Sequence, residues 1–547
     1  MRWLVLCSLI FVCFGSALNA RIYEYNELLK LPKGLAKDYY IYRFATETKP
    51  SKEELKTLQS QIFRYSGKIK KKFDSLVGNI KLPNECEGDF FTATASCQKE
   101  MLSKKYIESL SPQKRAELVN FLKDKDNDMW VLASSFDSTD PLKYIIDKGN
   151  LWAYYRYLGA SVNLAKEFSK YKPSKAMWQN LGKSRKFIAL LNEAVVDDNN
   201  PALKKWLYEL NPNEPVDEAA FYAGLNALLM QDEKKALEFF KTASKTANSA
   251  LNKDASMFWT YLISKDKNVL NTLSNSKNLN MYSLYAKELT GNNKVEVIIP
   301  KPSRQGLKGY DITDPFTWQR IKNESAKLSG KELANYALKF YTKETQGEFS
   351  FLMERAYKGA RNYFPLPFIE LIGTNDLKRK TLILALARQE SRFIPASVST
   401  SYALGMMQFM PFLANDIGKK KLQIPGFEED DMFKPRVAYE FANYHLDYLE
   451  KYLQNPVFIA YAYNGGLGFT KRMLQAGKLF TKSGALAKYE PFLSMERVPL
   501  LESRDYAKKV LANYVIYSSI LGSNIKISQF FESLAIPGAS ESFRRQH

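Results

Sequence analysis

The stretch ARQESRFIPASVSTSYALGMMQFMP, residues 387–411, places a glutamate at the end of an apolar run and follows it with a methionine-rich loop. The residues LKRKTLILALARQES (377–391) predict a buried helix. On that helix Leu386 and Ala387 lie four and three residues before Glu390, so all three share a face. Glu390 is therefore expected on the apolar side of the helix, near its C-terminus, and the sequence shows no second carboxylate beside it.

Two effects act on such a carboxyl group in the same direction. Burial disfavours the charged form and raises the pKa, and the negative end of the helix dipole does the same. A glutamic acid that stays protonated near neutral pH is suited to general-acid catalysis. The structural alternatives left open here are an ion pair between Glu390 and Arg388 or Arg392, or exposure at a frayed helix end.

Three further motifs follow the glutamate. GMMQFMP (405–411) precedes another predicted helix, because proline is favoured in the first helical turn. NPVFIAYAYNGG (455–466) predicts a buried helix that stops at its two glycines. VPLLESRDYAKKVLANYVIY (498–517) predicts a last long helix. Taken singly, each motif also has a plain interpretation as core packing or as a helix end.

In this order and spacing, the motifs resemble the catalytic domain of the soluble lytic transglycosylases, which has a goose-type lysozyme fold. The family pattern is Glu-Ser, Gly-Leu-Met-Gln with Met-Pro, Ala-Tyr-Asn-x-Gly and Glu-Thr-Arg-x-Tyr. This chain has ES at 390–391, GMMQFMP, AYNGG at 462–466 and ESRDY at 502–506. Met406 for leucine and Ser503 for threonine are departures that preserve size or hydroxyl chemistry.

The resemblance implies that Glu390 acts first as general acid and then as general base. It would protonate the oxygen of the β-1,4 bond between N-acetylmuramic acid (MurNAc) and N-acetylglucosamine (GlcNAc) in peptidoglycan. It would then take the proton of the C6 hydroxyl of the same MurNAc, giving a 1,6-anhydro-MurNAc end without water. The N-acetyl carbonyl of the substrate would replace the second carboxylate that ordinary glycosidases use.

The resemblance also implies a set of substrate-binding residues, which are Ser399, Gln408, Met410, Tyr463, Asn464, Glu502 and Tyr506. Ser399 would lie close to the intermediate, and Tyr463 and Asn464 would position the sugar. Gln408 and Met410 would line the cleft. Glu502 would bind sugar or tune the cleft, whereas Tyr506 has a role in the core as its alternative. The resemblance implies no cofactor and no metal, and the histidines, His445 and His547, are too few for most zinc sites.

Upstream, from about residue 35 to 290, the sequence is a succession of helical patterns broken by polar turns. DEAAFYAGLNALLMQDEKKALEFFKTAS (217–244) predicts a helix, a turn at Gln231-Asp232 and a second helix, and it resembles a tetratricopeptide-type hairpin. A run of similar hairpins predicts a stacked α-superhelix. The pattern stops at 291–313, where glycines and prolines indicate a linker with one extended segment.

We therefore expect an all-α fold with three domains. An α-superhelical array, ring-like by resemblance to the family, would occupy 21–295, and a small helical linker domain 296–363. The prolines of FPLPF (364–368) mark the start of a lysozyme-like catalytic domain that extends to residue 547. The strong resemblance itself covers roughly residues 362–520.

The first residues, MRWLVLCSLIFVCFGSALNA (1–20), have the layout of a secretory signal peptide, with small residues at Ala17 and Ala20 for cleavage. A buried N-terminal helix is the alternative. The signal peptide predicts export to the periplasm. No later segment approaches the length of a transmembrane span. In an exported chain Cys86 and Cys97 predict a disulfide; two free thiols are the alternative.

The chain has a formal net charge of +21, which favours anionic partners. Peptidoglycan stem peptides carry carboxylates, so glycan strands are the expected partner, with other cell-wall enzymes as further candidates. For most individual lysines a solvated helix face is the better interpretation. Nucleic acid is not expected, because the chain is exported and carries no recognised binding module.

Two other functions remain open from the sequence. A hydrolytic muramidase on the same fold would need a second carboxylate to activate water, and Asp416, Glu428 and Glu502 are candidates. A periplasmic scaffold with a superhelical binding surface and an inert C-terminal domain is the second alternative. The intact set of motifs argues against it.

Overall fold

The computed structural model describes residues 22–78, 86, 88–159, 185–198 and 201–544. Across this part of the chain the regular structure is helical, and β-pairing is limited to isolated bridges. The prediction of an all-α fold is confirmed for these residues. None of their helices is long and apolar enough to cross a membrane. The predicted signal peptide, residues 1–20, lies outside the described residues.

The first region of the chain contains many short helices, several of them joined by tight turns within the described residues. Many of these helices begin at a Ser, Asp or Asn, such as Ser51, Asp126 or Asn280, whose side chain accepts a hydrogen bond from a backbone N–H of the first turn. The described helices of the array are Tyr25–Lys30, Leu35–Glu47, Lys52–Gln61, Gly67–Val77, Ala95–Met101, Lys104–Ser109, Pro112–Leu122, Asn127–Ser134, Pro141–Asp147, Leu151–Leu158, Arg185–Val196, Pro201–Tyr208, Asp217–Leu229, Glu233–Thr246, Ala250–Ser264, Lys267–Ser274 and Met281–Thr290.

The predicted helical hairpin is present, as helices Asp217–Leu229 and Glu233–Thr246. Gln231 adopts the left-handed conformation at the turn, and the side chain of Asp232 caps the second helix. Gly224 allows the two helices to approach, because a Cβ there would lie 2.8 Å from the ring of Phe240. The predicted disulfide between Cys86 and Cys97 is also present.

A small helical region separates the array from the C-terminal region. It contains helices Pro315–Ala326, Gly330–Ala337 and Gln346–Ala356, which share a core that includes Trp318 and Leu352. The segment before it contains no α-helix among the described residues, and Ile298 forms an isolated β-bridge with Tyr363. This agrees with the predicted linker.

The C-terminal region consists of helices Leu377–Ser391, Pro411–Asn415, Pro435–Glu450, Pro456–Gly465, Leu467–Gln475, Phe492–Arg497, Leu501–Ile520 and Ser528–Leu534. Leu377–Ser391 (the Glu390 helix) and Pro456–Gly465 (the Tyr463 helix) both pack against Leu501–Ile520 (the Tyr506 helix). We retain 21–295, 296–363 and 364–547 as the proposed domains.

The array contacts the C-terminal region near both of its ends. Near its start, Arg43 forms an ion pair with Asp430, at 3.0 Å. Near its end, the hydroxyl of Tyr282 donates to Glu496 at 2.6 Å. The C-terminal region is therefore held by the array from two sides, which fixes the setting of the site described next.

Candidate active site

The Glu390 helix forms as the sequence predicts. Its first turn is capped by Asp376, and it ends where Arg392 turns into the left-handed conformation. Ile383 and Leu386 on the face of Glu390 are fully buried. Glu390 itself is partly exposed, so it stands at the edge of the core with one side open.

One tyrosine holds the carboxyl group of Glu390. The hydroxyl of Tyr506 donates a hydrogen bond to Oε1 of Glu390 at 2.6 Å. Within the described residues Oε2 makes no hydrogen bond, so it is available to carry a proton. Burial raises the pKa of Glu390 to about 8; the hydrogen bond from Tyr506 lowers this pKa, and the nearby charge of Glu502 raises it.

The arginines beside Glu390 are engaged elsewhere. Arg388 pairs with Glu354 at 2.7 Å, and Arg392 pairs with the other oxygen of Glu354 at 3.1 Å. Glu354 belongs to helix Gln346–Ala356, which packs tightly on the end of the Glu390 helix. The ion pair between Glu390 and Arg388 or Arg392 that the sequence left open is therefore not the observed arrangement.

A loop and a short helix, residues 397–415 (the cleft strip), carry three of the predicted site residues. The hydroxyl of Ser399 accepts hydrogen bonds from the backbone N–H groups of residues 401 and 403. The side-chain amide of Gln408 donates to the carbonyls of residues 397 and 405. Met410 is partly exposed and precedes helix Pro411–Asn415, in agreement with the predicted helix start.

The strip is bound to the Glu390 helix and to the Tyr463 helix through adjacent carbonyls. The hydroxyl of Ser391 donates to the carbonyl of Met406 at 2.8 Å. The hydroxyl of Tyr463 donates to the carbonyl of Met407 at 3.0 Å. Burial and the nearby charge of Glu390 raise the pKa of Tyr463 well above its ordinary value, so this residue remains a neutral hydrogen-bond donor.

Asn464 and Glu502 lie together at the end of the Tyr463 helix, which stops at Gly466 as predicted. The hydroxyl of Ser503 donates to Oδ1 of Asn464 at 2.6 Å. The side-chain amide nitrogen of Asn464 lies 3.5 Å from Oε1 of Glu502, and Glu502 is exposed. The structure thus brings Glu390, Tyr463, Asn464, Glu502 and Tyr506 into one neighbourhood.

The sequence shows no second carboxylate in the stretch around Glu390 and leaves Asp416, Glu428 and Glu502 open as distant candidates. Of the three candidates, Asp416 pairs with Lys420, and Glu428 pairs with Arg43 and Lys419. Only Glu502 acts on the pKa of Glu390. Glu390 and Glu502 are 112 residues apart in the chain, so the sequence alone does not show that they are close in space.

Two side chains near the site were not singled out from the sequence. Arg504, within the ESRDY motif, is buried and donates to Asn192 and Tyr222 of the array and to the carbonyl of Val498. The ring of His445 lies 5.6 Å from that of Tyr463, and burial lowers the pKa of His445 to about 4. The position of Arg504 inside the motif was the available signal; for His445 there was none.

A cavity of about 310 Å³ lies beside the site, between the array and the C-terminal region. Its lining includes Gln389 and Asp505, which are the sequence neighbours of Glu390 and Tyr506. Glu390 and Tyr506 themselves do not line it. The cavity is therefore separate from the open side of the candidate acid.

The region that carries most of the candidate site matches a known protein family. Residues 371–483 match the family model of the Transglycosylase SLT domain. The match contains Glu390, Gln408 and Tyr463, and it ends before Glu502 and Tyr506. The resemblance of this region to the soluble lytic transglycosylases is confirmed.

Individual relatives carry the same description. A Haemophilus influenzae protein assigned to the soluble lytic murein transglycosylases is 34% identical over 143 residues, 26% of this chain and 22% of that protein. The soluble lytic murein transglycosylase of Escherichia coli K12 is 25% identical over 219 residues, 39% of this chain and 32% of that protein. These matches therefore span between a fifth and a third of the relatives' length.

The fold agrees over a much longer stretch. The crystal structure of the 70 kDa soluble lytic transglycosylase Slt70 from E. coli has a TM-score of 0.50 and 17% identity, over 95% of this chain and 85% of that one. At this identity the likeness concerns the fold alone. It confirms the prediction of an N-terminal α-superhelical array followed by a lysozyme-like C-terminal domain.

Proposed function

We propose that the chain is a lytic transglycosylase that cleaves the β-1,4 bond between MurNAc and GlcNAc of peptidoglycan without water. One observation carries the proposal. Glu390 is a partly exposed glutamic acid without a cationic partner among the described residues, and its pKa is raised to about 8. At neutral pH it is mostly protonated, which is the state that a general acid requires.

In the first step, Glu390 donates its proton to the glycosidic oxygen. The C1–O bond breaks, GlcNAc leaves with the proton, and positive charge develops at C1 of MurNAc. Oε2 carries the proton, because Oε1 accepts the hydrogen bond from Tyr506. The same hydrogen bond stabilises the carboxylate that remains after the transfer.

In the second step, the Glu390 carboxylate takes the proton of the C6 hydroxyl of the same MurNAc. The C6 oxygen bonds to C1 and closes the 1,6-anhydro ring, so the acid regains its proton and no water is consumed. The N-acetyl carbonyl of MurNAc stabilises C1 between the two steps. A second protein carboxylate is not needed for this route.

The remaining site residues bind and orient the sugars. Tyr463 and Asn464, at the end of one helix, position the reacting MurNAc, and Ser399 lies close to the intermediate. Gln408 and Met410 line the groove on the cleft strip. Glu502 contacts sugar or tunes the charge of Glu390, and Tyr506 acts through its hydrogen bond to Glu390.

The proposed location is the periplasm, where a chain with a signal peptide meets peptidoglycan. The formal net charge of +21 supports attraction to the carboxylates of stem peptides. Other cell-wall enzymes are further candidate partners, and we propose no cofactor or metal.

Mass spectrometry of peptidoglycan digested by the purified chain tests the proposal. We expect muropeptides with 1,6-anhydro-MurNAc ends, each lacking one water relative to a reducing end. Glu390→Gln should release them about 1,000-fold more slowly or not at all, while keeping the fold. Release by this variant at the rate of the parent would refute the role of Glu390, and a parent chain that binds but never cleaves peptidoglycan would favour the scaffold.

A hydrolytic muramidase is the second candidate, and the charge of Glu502 near Glu390 is the observation that favours it. In that reaction Glu502 would activate a water that attacks C1, and the products would carry reducing ends. The same digest distinguishes the two reactions. If the parent chain produces reducing ends and Glu502→Gln does not, the reaction is hydrolysis and the proposed transglycosylase route is wrong.

A further inference from the structure

A guanidinium from the helical array is buried among four carboxylates. Arg43 is 2% exposed and lies on helix Leu35–Glu47 (the Arg43 helix). Three of the acids are consecutive residues of the C-terminal region, nearly 400 positions away in the sequence. The four are Glu47, Glu428, Glu429 and Asp430, at nitrogen–oxygen distances of 2.9, 3.1, 3.2 and 3.0 Å.

Arg43 supplies the positive charge that this cluster needs. Burial raises the pKa values of Glu429 and Asp430, and the charge of Arg43 lowers both. The hydroxyls of Tyr39 and Tyr40 donate to Asp430 at 2.6 and 3.1 Å, but they are neutral. Without Arg43, buried acids would have to take up protons or move apart.

Residues 428–432, which carry these three acids and are here called the acidic segment, in turn hold the cleft strip. The side-chain amide of Asn415, at the end of the strip, donates to Oε2 of Glu429 at 2.9 Å. In the middle of the strip, a Cβ at Gly405 would lie 2.0 Å from the carbonyl oxygen of Met432, so the two backbones are in direct contact. Two points of the strip therefore depend on where the acidic segment lies.

The Arg43 helix also contacts the strip directly. The ring of Tyr402 is buried, with its centroid 6.2 Å from that of Tyr39 and 5.3 Å from that of Tyr42. Tyr402 follows Ser399 by three residues, in the same turn. The array thus touches the strip at its beginning and, through Arg43 and Glu429, at its end.

We propose that Arg43 is a positioning residue for the cleft: through Glu429 and Asp430 it holds the cleft strip in the position that the reaction requires. The reaction itself rests on the function proposed above. The strip joins Ser391 and Tyr463 by backbone carbonyls, so its displacement would alter the surroundings of Glu390. The array would then act on catalysis by shaping the cleft as well as by binding glycan.

The test compares Arg43→Gln, Glu429→Gln, the double variant and Arg43→Lys in the full chain. Asp198→Asn is the matched control, because it breaks another ion pair between the array and the C-terminal region, with Arg497 at 2.8 Å, away from the strip. Two readouts are taken for each. One is kcat and KM on soluble peptidoglycan fragments, and the other is amide hydrogen exchange across residues 397–415.

For Arg43→Gln we expect kcat to fall about 10-fold or more with KM within about 2-fold, because misplaced groups lose transition-state contacts. Exchange should accelerate in residues 397–415 but not in the Glu390 helix. The double variant should lose no more than the worse single variant, since both act through one contact. Arg43→Lys should restore part of the activity, and Asp198→Asn should match the parent in both readouts.

If Arg43→Gln folds and its amide hydrogen exchange in residues 397–415 matches that of the parent, the proposal is wrong. It is also wrong if Asp198→Asn loses as much activity as Arg43→Gln. If Arg43→Gln does not fold, Glu429→Gln, which removes a charge without orphaning a cation, decides by the same readouts. A parent chain that cleaves no peptidoglycan would refute the proposed function. The exchange data would still show whether Arg43 holds the strip.

Discussion

Two glutamates of this chain, Glu390 and Glu348, have nearly the same chemical surroundings and different access. Each accepts a hydrogen bond from one tyrosine hydroxyl, Tyr506 at 2.6 Å and Tyr310 at 2.9 Å. Burial raises the pKa of Glu390 to about 8 and that of Glu348 to about 7. Neither has a cationic partner among the described residues.

The difference lies in exposure. Glu348 is completely buried in the helical linker region, and its Oε2 has no hydrogen-bond partner among the described residues. Glu390 is partly exposed, and it lies near Glu502, which in turn contacts Asn464. A raised pKa therefore does not by itself identify a catalytic acid. An acid that meets substrate also needs an open side, and only Glu390 has one.

The largest effect is expected from exchanging each glutamate for glutamine. Glu390→Gln should lower the rate of anhydro-muropeptide release by about 1,000-fold or more, since general acid–base catalysis alone contributes 10²- to 10⁴-fold. Glu348→Gln should leave the rate within about 2-fold. Steady-state kinetics on peptidoglycan measures both. Equal losses in the two variants would remove the distinction drawn from exposure.

The second effect concerns stability and belongs to Glu348. Its carboxyl has a folded pKa of about 7, above the value in the unfolded chain. Its contribution to stability is therefore complete below about pH 4.5 and is lost as the pH rises to about 7. Glu348→Gln keeps an acceptor for Tyr310 without a titrating proton, so the variant should not show this loss.

We expect Glu348→Gln to be more stable than the parent at pH 8, by up to about 3 kcal/mol, and to lose this advantage at pH 4.5. Native-state hydrogen exchange of helix Gln346–Ala356, corrected for intrinsic rates, measures the difference at each pH. An advantage that is the same at both pH values would contradict the raised pKa of Glu348.

The local parts of the site were predictable from the sequence because their signals are local. The apolar period before Glu390, the proline at 411 and the two glycines at 465–466 each fix a helix or its end within a few residues. These signals predicted the Glu390 helix and the Tyr463 helix with correct ends. The resemblance of the four motifs to those of the soluble lytic transglycosylases then implied the lysozyme-like fold.

The contacts between regions were not predictable in this way. Arg388 and Arg392 looked like partners for Glu390, but they pair with Glu354, more than 30 residues earlier on another helix. Arg43 and its acids are further apart still. Such pairs depend on how helices pack, and a single sequence carries no periodic signal for that packing.

The third effect comes from the tyrosine of each pair. The hydrogen bond from Tyr506 lowers the pKa of Glu390, so Tyr506→Phe should raise it. The basic limb of the kcat/KM profile, near pH 8 in the parent, should move up by about one pH unit, and kcat should fall about 10-fold. Tyr310→Phe should change neither. A limb that moves to lower pH in Tyr506→Phe would contradict the assigned role of the hydrogen bond.

The smallest effect is expected at Glu502, which is exposed and acts on Glu390 only through its charge. Its carboxylate raises the pKa of Glu390, so Glu502→Gln should move the basic limb of kcat/KM to lower pH, by a few tenths of a pH unit. Salt screens exposed charges, so the shift should shrink as ionic strength rises. Profiles of parent and variant at two salt concentrations measure this. A loss of activity as large as that of Glu390→Gln, with the basic limb unmoved, would mean that Glu502 takes part in the chemistry itself. The site would then contain two accessible catalytic acids, Glu390 and Glu502, instead of one.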